Sequence, residues 1–365
     1  MNKLVTVVMG TRPEVIKLAP VVTALGHHGI TVRVISTGQG GRVLEEMLDT
    51  FGIKPAYRFG SLRIGQSLNE LTCRLLSGLS SAGLGESGLV VVQGDTASAF
   101  AGAIAGFYES VPVAHVEAGL RTQTLWLPYP EEMHRRAISR ISILHFAPTM
   151  IAYQALVSEQ VTGRIFKTGN TIVDSLSQFS SDPPDVKALF ARAVGKAMVL
   201  LTCHRREAWR SIADLQACIK IATRLYRDLL VVWVMPPNVA IQEEILATEI
   251  SNVVAMGPVA YPVFIALMRR ADVIVTDSGG VIEEATTLGS RLIIIRDVTE
   301  RPEAITYGGA KLVRLDALRD LPGIIMETLK EEKSASVLVF GDGSASGRIA
   351  NHIANYLGGA DEESN

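Results

Sequence analysis

Cysteine is scarce in this chain: three in 365 residues, Cys73, Cys203 and Cys218, far apart and without a CxxC pair. That number and spacing exclude a disulfide framework and a thiolate metal centre, and they fit a reducing cytoplasm. No His or Cys pair stands at metal-ligand spacing, so no metal is expected as catalyst. A surplus of charge is also missing. With 35 Lys and Arg against 37 Asp and Glu the net charge is −2, whereas tracking a phosphate backbone needs a strong basic excess, so nucleic acid is not an expected partner. No run approaches the ~18 apolar residues of a membrane span. The opening MNKLVTVVMG lacks the apolar core and small-residue cleavage site of a signal peptide. A cytoplasmic chain without a membrane partner is therefore expected. Two nucleotide signatures are absent too: no GxGxxG follows the first strand, and no Gly-Lys-Ser/Thr follows the glycine-rich turn near residue 279. The first absence removes the chief support for a nicotinamide or flavin domain, the second excludes a Walker loop, and no cofactor is expected.

What is present is regular. Apolar runs LVTVVM, TVRVIS, LVVVQ, VPVAHV, ILHFAP and RIFKTG are each followed by a stretch of helical spacing, and a second series follows: AMVLLTC, LLVVWVM, NVVAMG, DVIVTD and RLIIIRD. Strands that read apolar throughout and alternate with helices mark parallel sheets covered on both faces. The Ser/Pro/Asp stretch SQFSSDPPDV, residues 177 to 186, reads as a linker or exposed loop between the series. The expected organisation is an α/β protein of two Rossmann-like, doubly wound domains. Residues 1–170 form the first and 171–345 the second. Residues 346–365 add a last helix packing back toward the first domain, with a frayed acidic tail. Ligands of such sheets lie beyond the carboxyl ends of the strands, so the cleft between the domains is the expected site.

Charged and glycine-rich groups cluster at those strand ends. TDSGGVIEEA, residues 276 to 285, runs from a strand straight into a helix. Unpaired N–H groups and the positive dipole end make Ser278, Gly279 and Gly280 a phosphate seat; the alternative is a tight turn with Ser278 as an ordinary N-cap. Glu284, within the first two turns, suits the paired hydroxyls of a ribose, or is a solvated acid favoured by the dipole. GTRPEVIKLAPVV, residues 10 to 22, repeats the strand-to-helix arrangement with Pro13 in the first turn. There Arg12 offers five fixed donors to a diphosphate and Lys17 a movable charge, although a single Lys is ordinarily a solvated helix residue. Asp95, Glu117, Glu131 and His204 fall at or beyond other strand ends. Asp95 is either an acid–base group or the N-cap of the helix that follows, and His204 either a site residue or a core histidine.

GTRPEVIKLAPV, GDT, HVEAGLRT, PEEMHRR, HRRE, TDSGGVIEEA and RDVTERPEAITYGG resemble, in order and spacing, the non-hydrolysing UDP-N-acetylglucosamine 2-epimerases of bacteria. The resemblance implies a fold like the GT-B glycosyltransferases, usually a homodimer, acting on a UDP-sugar. It implies reversible conversion of UDP-GlcNAc to UDP-ManNAc. By matching motif positions it implies Asp95, Glu117 and Glu131 as acid–base carboxylates and His204 beside the diphosphate. Arg12, Lys17, Gln66, Arg135, Ser278, Gly279, Gly280, Glu284 and Arg301 match positions contacting nucleotide or sugar, and the base is expected near Ala260 and Tyr261. The chain departs from the family at Gly40, Gly41 and Gly65, in a region where many relatives bind a second UDP-GlcNAc as activator. His134, Ile282 and Gly309 also replace the usual residues. The hydrolysing relatives, which release free ManNAc, begin with a Ser-Arg-Ala-Glu-like sequence in place of GTRPE.

Overall fold

The computed structural model describes residues 2–60, 65–204, 206–332 and 338–359. The acidic tail therefore lies outside the described residues. The chain divides into two units: one runs to Ser177 and takes the chain back from Phe340, and the other is Gln178–Val339.

The first unit is built on seven parallel strands: β1 (Leu4–Met9), β2 (Thr31–Ser36), β3 (Tyr57–Arg58), β4 (Leu89–Gln93), β5 (Val113–Val116), β6 (Leu144–Ala147) and β7 (Arg164–Lys167), in the order β3-β2-β1-β4-β5-β6-β7. The second has six: β8 (Ala197–Thr202), β9 (Leu229–Val234), β10 (Val253–Met256), β11 (Val273–Thr276), β12 (Arg291–Ile295) and β13 (Lys311–Val313), in the order β10-β9-β8-β11-β12-β13. Every pairing between these strands is parallel, with Val5 opposite Leu89 in the first sheet and Val199 opposite Val273 in the second. The central strands are apolar at successive positions because helices cover both faces. All five residues of β4 and all six of β9 are buried, and each fully buried aliphatic side chain contributes about 1.5–3 kcal/mol.

In each sheet the strand order reverses once, between β1 and β4 and between β8 and β11. Connections leave in opposite directions there and open a crevice at the carboxyl ends, where ligands of such sheets bind. Gly10 to Arg12 follow β1 and Asp95 follows β4; His204 follows β8 and Asp277 to Gly280 follow β11. Arg12 and Asp95 in the first unit, and His204 and Ser278 to Gly280 in the second, thus flank the switch point of their own sheet.

Local chemistry sets the helix ends. Ser67 and Glu70 form a reciprocal capping box at the helix Leu68–Ser81. The last helix, Ala345–Gly358, is held in the first unit by Asp174, whose carboxylate accepts the N–H groups of Ser346 (2.8 Å) and Ala345 (3.3 Å). An anionic acceptor suits the positive end of that helix, and Gly359, at φ 74°, supplies its left-handed stop. Among the described residues no helix is long and apolar enough to cross a membrane.

Candidate active site

In the first unit two carboxylates at the ends of neighbouring strands are each held by a cation. Asp95 Oδ2 accepts from Arg135 Nε at 2.7 Å and Nη2 at 2.6 Å. Arg135 is itself buried and reaches Glu132, which is fully buried and also accepts from Arg136 and the Thr122 N–H. Of the two readings of Asp95, the cap belongs to its neighbour: the Thr96 hydroxyl accepts the Ala99 N–H at 3.0 Å. With the cap filled by Thr96, the Asp95 carboxylate, partly exposed, is left to Arg135.

The turn bearing Asp95 is fastened at each residue. Gly94, at φ 70°, donates its N–H to the Val116 carbonyl and accepts from His115 Nε2 at 2.8 Å. The Asp95 carbonyl accepts from His134 Nδ1 at 2.8 Å, and the His134 ring stacks on Phe100. Burial holds both histidines below their ordinary pKa, His115 at about 3. They are therefore neutral donors at physiological pH.

Glu117 terminates β5 in the left-handed region, at φ 62°, a conformation that costs a non-glycine residue about 1–2 kcal/mol. Its side chain is buried against Lys17, Gln93 and Asn170 Nδ2, the last at 3.2 Å. Lys17, expected as a movable charge for a diphosphate, is 3% exposed and forms an ion pair with Glu117. That burial replaces the picture of a solvated lysine with one that fixes a carboxylate. Glu131 opens the helix Glu131–Ile141 and is half-buried, as is Arg12 at the start of the helix Arg12–His27. Gln66 is half-buried one residue before the Ser67 cap. Gly41 and Gly65 have φ values of 56° and 79°, with open space where a Cβ would sit.

In the second unit, Asp277 is fully buried after β11, and both of its oxygens accept the His204 N–H, at 2.8 and 2.9 Å. This ties the turn after β8 to the turn after β11. The Thr202 and Thr276 hydroxyls, 2.9 Å apart, join the same strands one layer below. Ser278 stands at the N-cap of the helix Gly279–Thr287 without a side-chain capping bond; its own N–H is taken by Thr276 Oγ1. At Gly279 a Cβ would lie 2.5 Å from Arg301 Nη1, so a side chain there would displace the guanidinium. Arg301 is aimed at this spot by Glu283 (2.7 Å) and Glu300 (3.0 Å). Glu284 and Tyr261, expected separately at ribose and base, are both buried and joined, the tyrosine hydroxyl donating to Glu284 Oε1 at 2.5 Å.

Sequence reasoning assigned no role to Asp277, Glu283, Gln93, Asn170 or Glu14. Asp277 and Glu283 lie inside the quoted motif TDSGGVIEEA, and their burial is the signal that was not visible there. Among the described residues no group of three or more His, Cys, Asp or Glu could hold a metal ion. The first unit offers carboxylates fixed for proton transfer, and the second offers a helix start with a guanidinium across it, suited to an anion.

The family model for UDP-N-acetylglucosamine 2-epimerase matches residues 23–354. The UDP-N-acetylglucosamine 2-epimerase of Escherichia coli (strain K12) is 36% identical over 371 residues, covering 96% of this chain and 98% of that protein. Among solved structures, the S. aureus MnaA–UDP co-structure superposes with a TM-score of 0.90 at 34% identity, covering 98% of this chain and 97% of that one. UDP-GlcNAc 2-epimerase from Neisseria meningitidis bound to UDP-GlcNAc gives 0.86 at 33% identity, covering 96% and 99%.

Proposed function

The chain belongs to the UDP-N-acetylglucosamine 2-epimerase family, and from that premise we propose that it interconverts UDP-GlcNAc and UDP-ManNAc reversibly, without net hydrolysis. The sugar C2 proton is not adjacent to a carbonyl, so a carboxylate alone would remove it too slowly. Breaking the C1–O bond first changes this. The bonding pair leaves with UDP, positive charge develops at C1, and a carboxylate takes the C2 proton, leaving 2-acetamidoglucal and UDP. Delivery of a proton to the opposite face of C2 and return of the UDP oxygen to C1 complete the epimer, with every atom conserved.

The observation that carries this reading is the pair of cation-held carboxylates, Asp95 on Arg135 and Glu117 on Lys17, at the ends of β4 and β5. Together with Glu131 they provide the acid–base groups. In the second unit Ser278, Gly279, Gly280 and Arg301 take the diphosphate, with His204 supporting departure of UDP. Arg12 adds a cation, while Gln66 contacts the sugar nucleotide. Tyr261 and Glu284 act as one hydrogen-bonded unit on the nucleoside. On the same reading the enzyme is a cytoplasmic homodimer.

Retention of UDP on the product separates this reading from hydrolysis. Proton NMR of purified protein with UDP-GlcNAc is expected to show UDP-ManNAc at equilibrium with substrate. Accumulation of free ManNAc with stoichiometric UDP would instead establish the hydrolysing reaction.

A further inference from the structure

Glu14 lies in the first turn of the helix Arg12–His27 and has no solvent exposure. Its Oε2 accepts the Gly10 N–H at 3.0 Å and the Thr11 hydroxyl at 2.8 Å, and its Oε1 accepts the Thr96 hydroxyl at 2.8 Å. Gly10 and Thr11 form the turn after β1 that delivers Arg12. Thr96 follows Asp95 in the turn after β4. One carboxylate therefore spans the two turns at the switch point of this sheet, each ending on a residue of the proposed site. We propose that Glu14 is a positioning residue that locks the Arg12 turn to the Asp95 turn, fixing the spacing between an anion-binding cation and an acid–base carboxylate.

The side-chain type supports this assignment. Three donors converge on Glu14, and a carboxylate is the side chain that only accepts. A glutamine would keep one acceptor and set an NH2 group against the remaining donor; its fit is with the amide nitrogen toward Thr96, whose hydroxyl oxygen would then accept. A purely space-filling role would favour a neutral residue, because a carboxylate buried among neutral donors is penalised when ionised. Burial pushes this carboxyl up to about 7. Other fastenings of the Asp95 turn come from β5 and from the helix Glu131–Ile141. Glu14 ties it from the β1 side.

The inference rests on the proposed function, and its test separates the two. At pH 8, hydrogen exchange from D2O into C2 of UDP-GlcNAc and UDP affinity by calorimetry would be compared for E14L, which removes both acceptors, T96V, E14L/T96V and T96S. E14L is expected to slow exchange at least tenfold and weaken UDP at least threefold with its near-UV circular dichroism retained. T96V should slow exchange while UDP affinity stays within twofold, and the double variant should be no more than twofold slower than E14L. T96S, which keeps the hydroxyl, should exchange within twofold of wild type. Exchange and UDP affinity within twofold of wild type in E14L would overturn the assignment, as would fully multiplicative effects in the double variant. If E14L does not fold, equal exchange in T96V and T96S overturns it. If wild type itself exchanges nothing at C2, the proposed function fails, and UDP affinity in E14L alone decides the link.

Discussion

Replacing Glu14 by glutamine should change how stability depends on pH. In the folded chain burial is the largest influence on this carboxyl, opposed by hydrogen bonds from Thr11, Thr96 and Gly10, and the balance raises it from 4.5 to about 7. These influences are desolvation and neutral donors, so the shift belongs to the site itself. Because the folded form holds its proton more tightly than the unfolded form, stability is fully present below pH 4.5 and is lost as pH rises toward 7. A shift from 4.5 to about 7 corresponds to about 3 kcal/mol at 1.36 kcal/mol per pH unit. Glutamine does not titrate. The stability of E14Q relative to wild type should therefore improve by about 3 kcal/mol between pH 4 and pH 8, with the change confined to that window. Urea unfolding of both proteins at half-unit pH steps measures it, and acid effects common to both cancel in the difference. A difference flat to within about 0.5 kcal/mol would refute the desolvated carboxylate. A difference of opposite slope would show that hydrogen bonding to the anion outweighs its burial.

Lys17→Met should cost about 3–5 kcal/mol in urea unfolding, because it strands Glu117 in a site where both side chains are about 95% buried. K17M/E117Q should recover at least half of that loss, and a K17M cost below about 1 kcal/mol would deny the pair its structural weight. Gly279→Ala drives a methyl group into the Arg301 guanidinium and should weaken UDP by about 1.5–3 kcal/mol, the range of a charge-assisted contact; unchanged calorimetric affinity would remove Arg301 from the phosphate seat. Asp95→Asn should abolish turnover with UDP affinity retained, since Arg135 keeps Glu132 and Thr96 keeps the helix cap. Lost UDP affinity in D95N would instead mark Asp95 as structural.

The sheets were legible where strands carry an apolar or β-branched run: LVTVVM, TVRVIS and LVVVQ coincide with β1, β2 and β4. The short edge strands β3 and β13, two and three residues long, carry no such run and were not read. At the site, residue types at strand ends could be identified, but their partners could not. Lys17 and Glu117 are 100 residues apart, Asp95 and Arg135 are 40, and Glu14 and Thr96 are 82. Local pattern also offered Asp95 as a cap, whereas Thr96, one residue on and equally suited by type, fills that position. Burial decided other roles: Lys17 reads as a surface lysine until the helix Arg12–His27 is placed against the strands. Tyr261 and Glu284 likewise lie on separate motifs, and only packing joins their side chains.

Incubation with UDP-GlcNAc in D2O, followed by isolation of both nucleotide sugars, tests the proposed chemistry most directly. Elimination and re-addition predict deuterium at C2 of every UDP-ManNAc molecule formed, and the same epimer ratio when the reaction starts from UDP-ManNAc. UDP-ManNAc that retains the substrate's C2 hydrogen would contradict proton transfer by the carboxylates of the first unit.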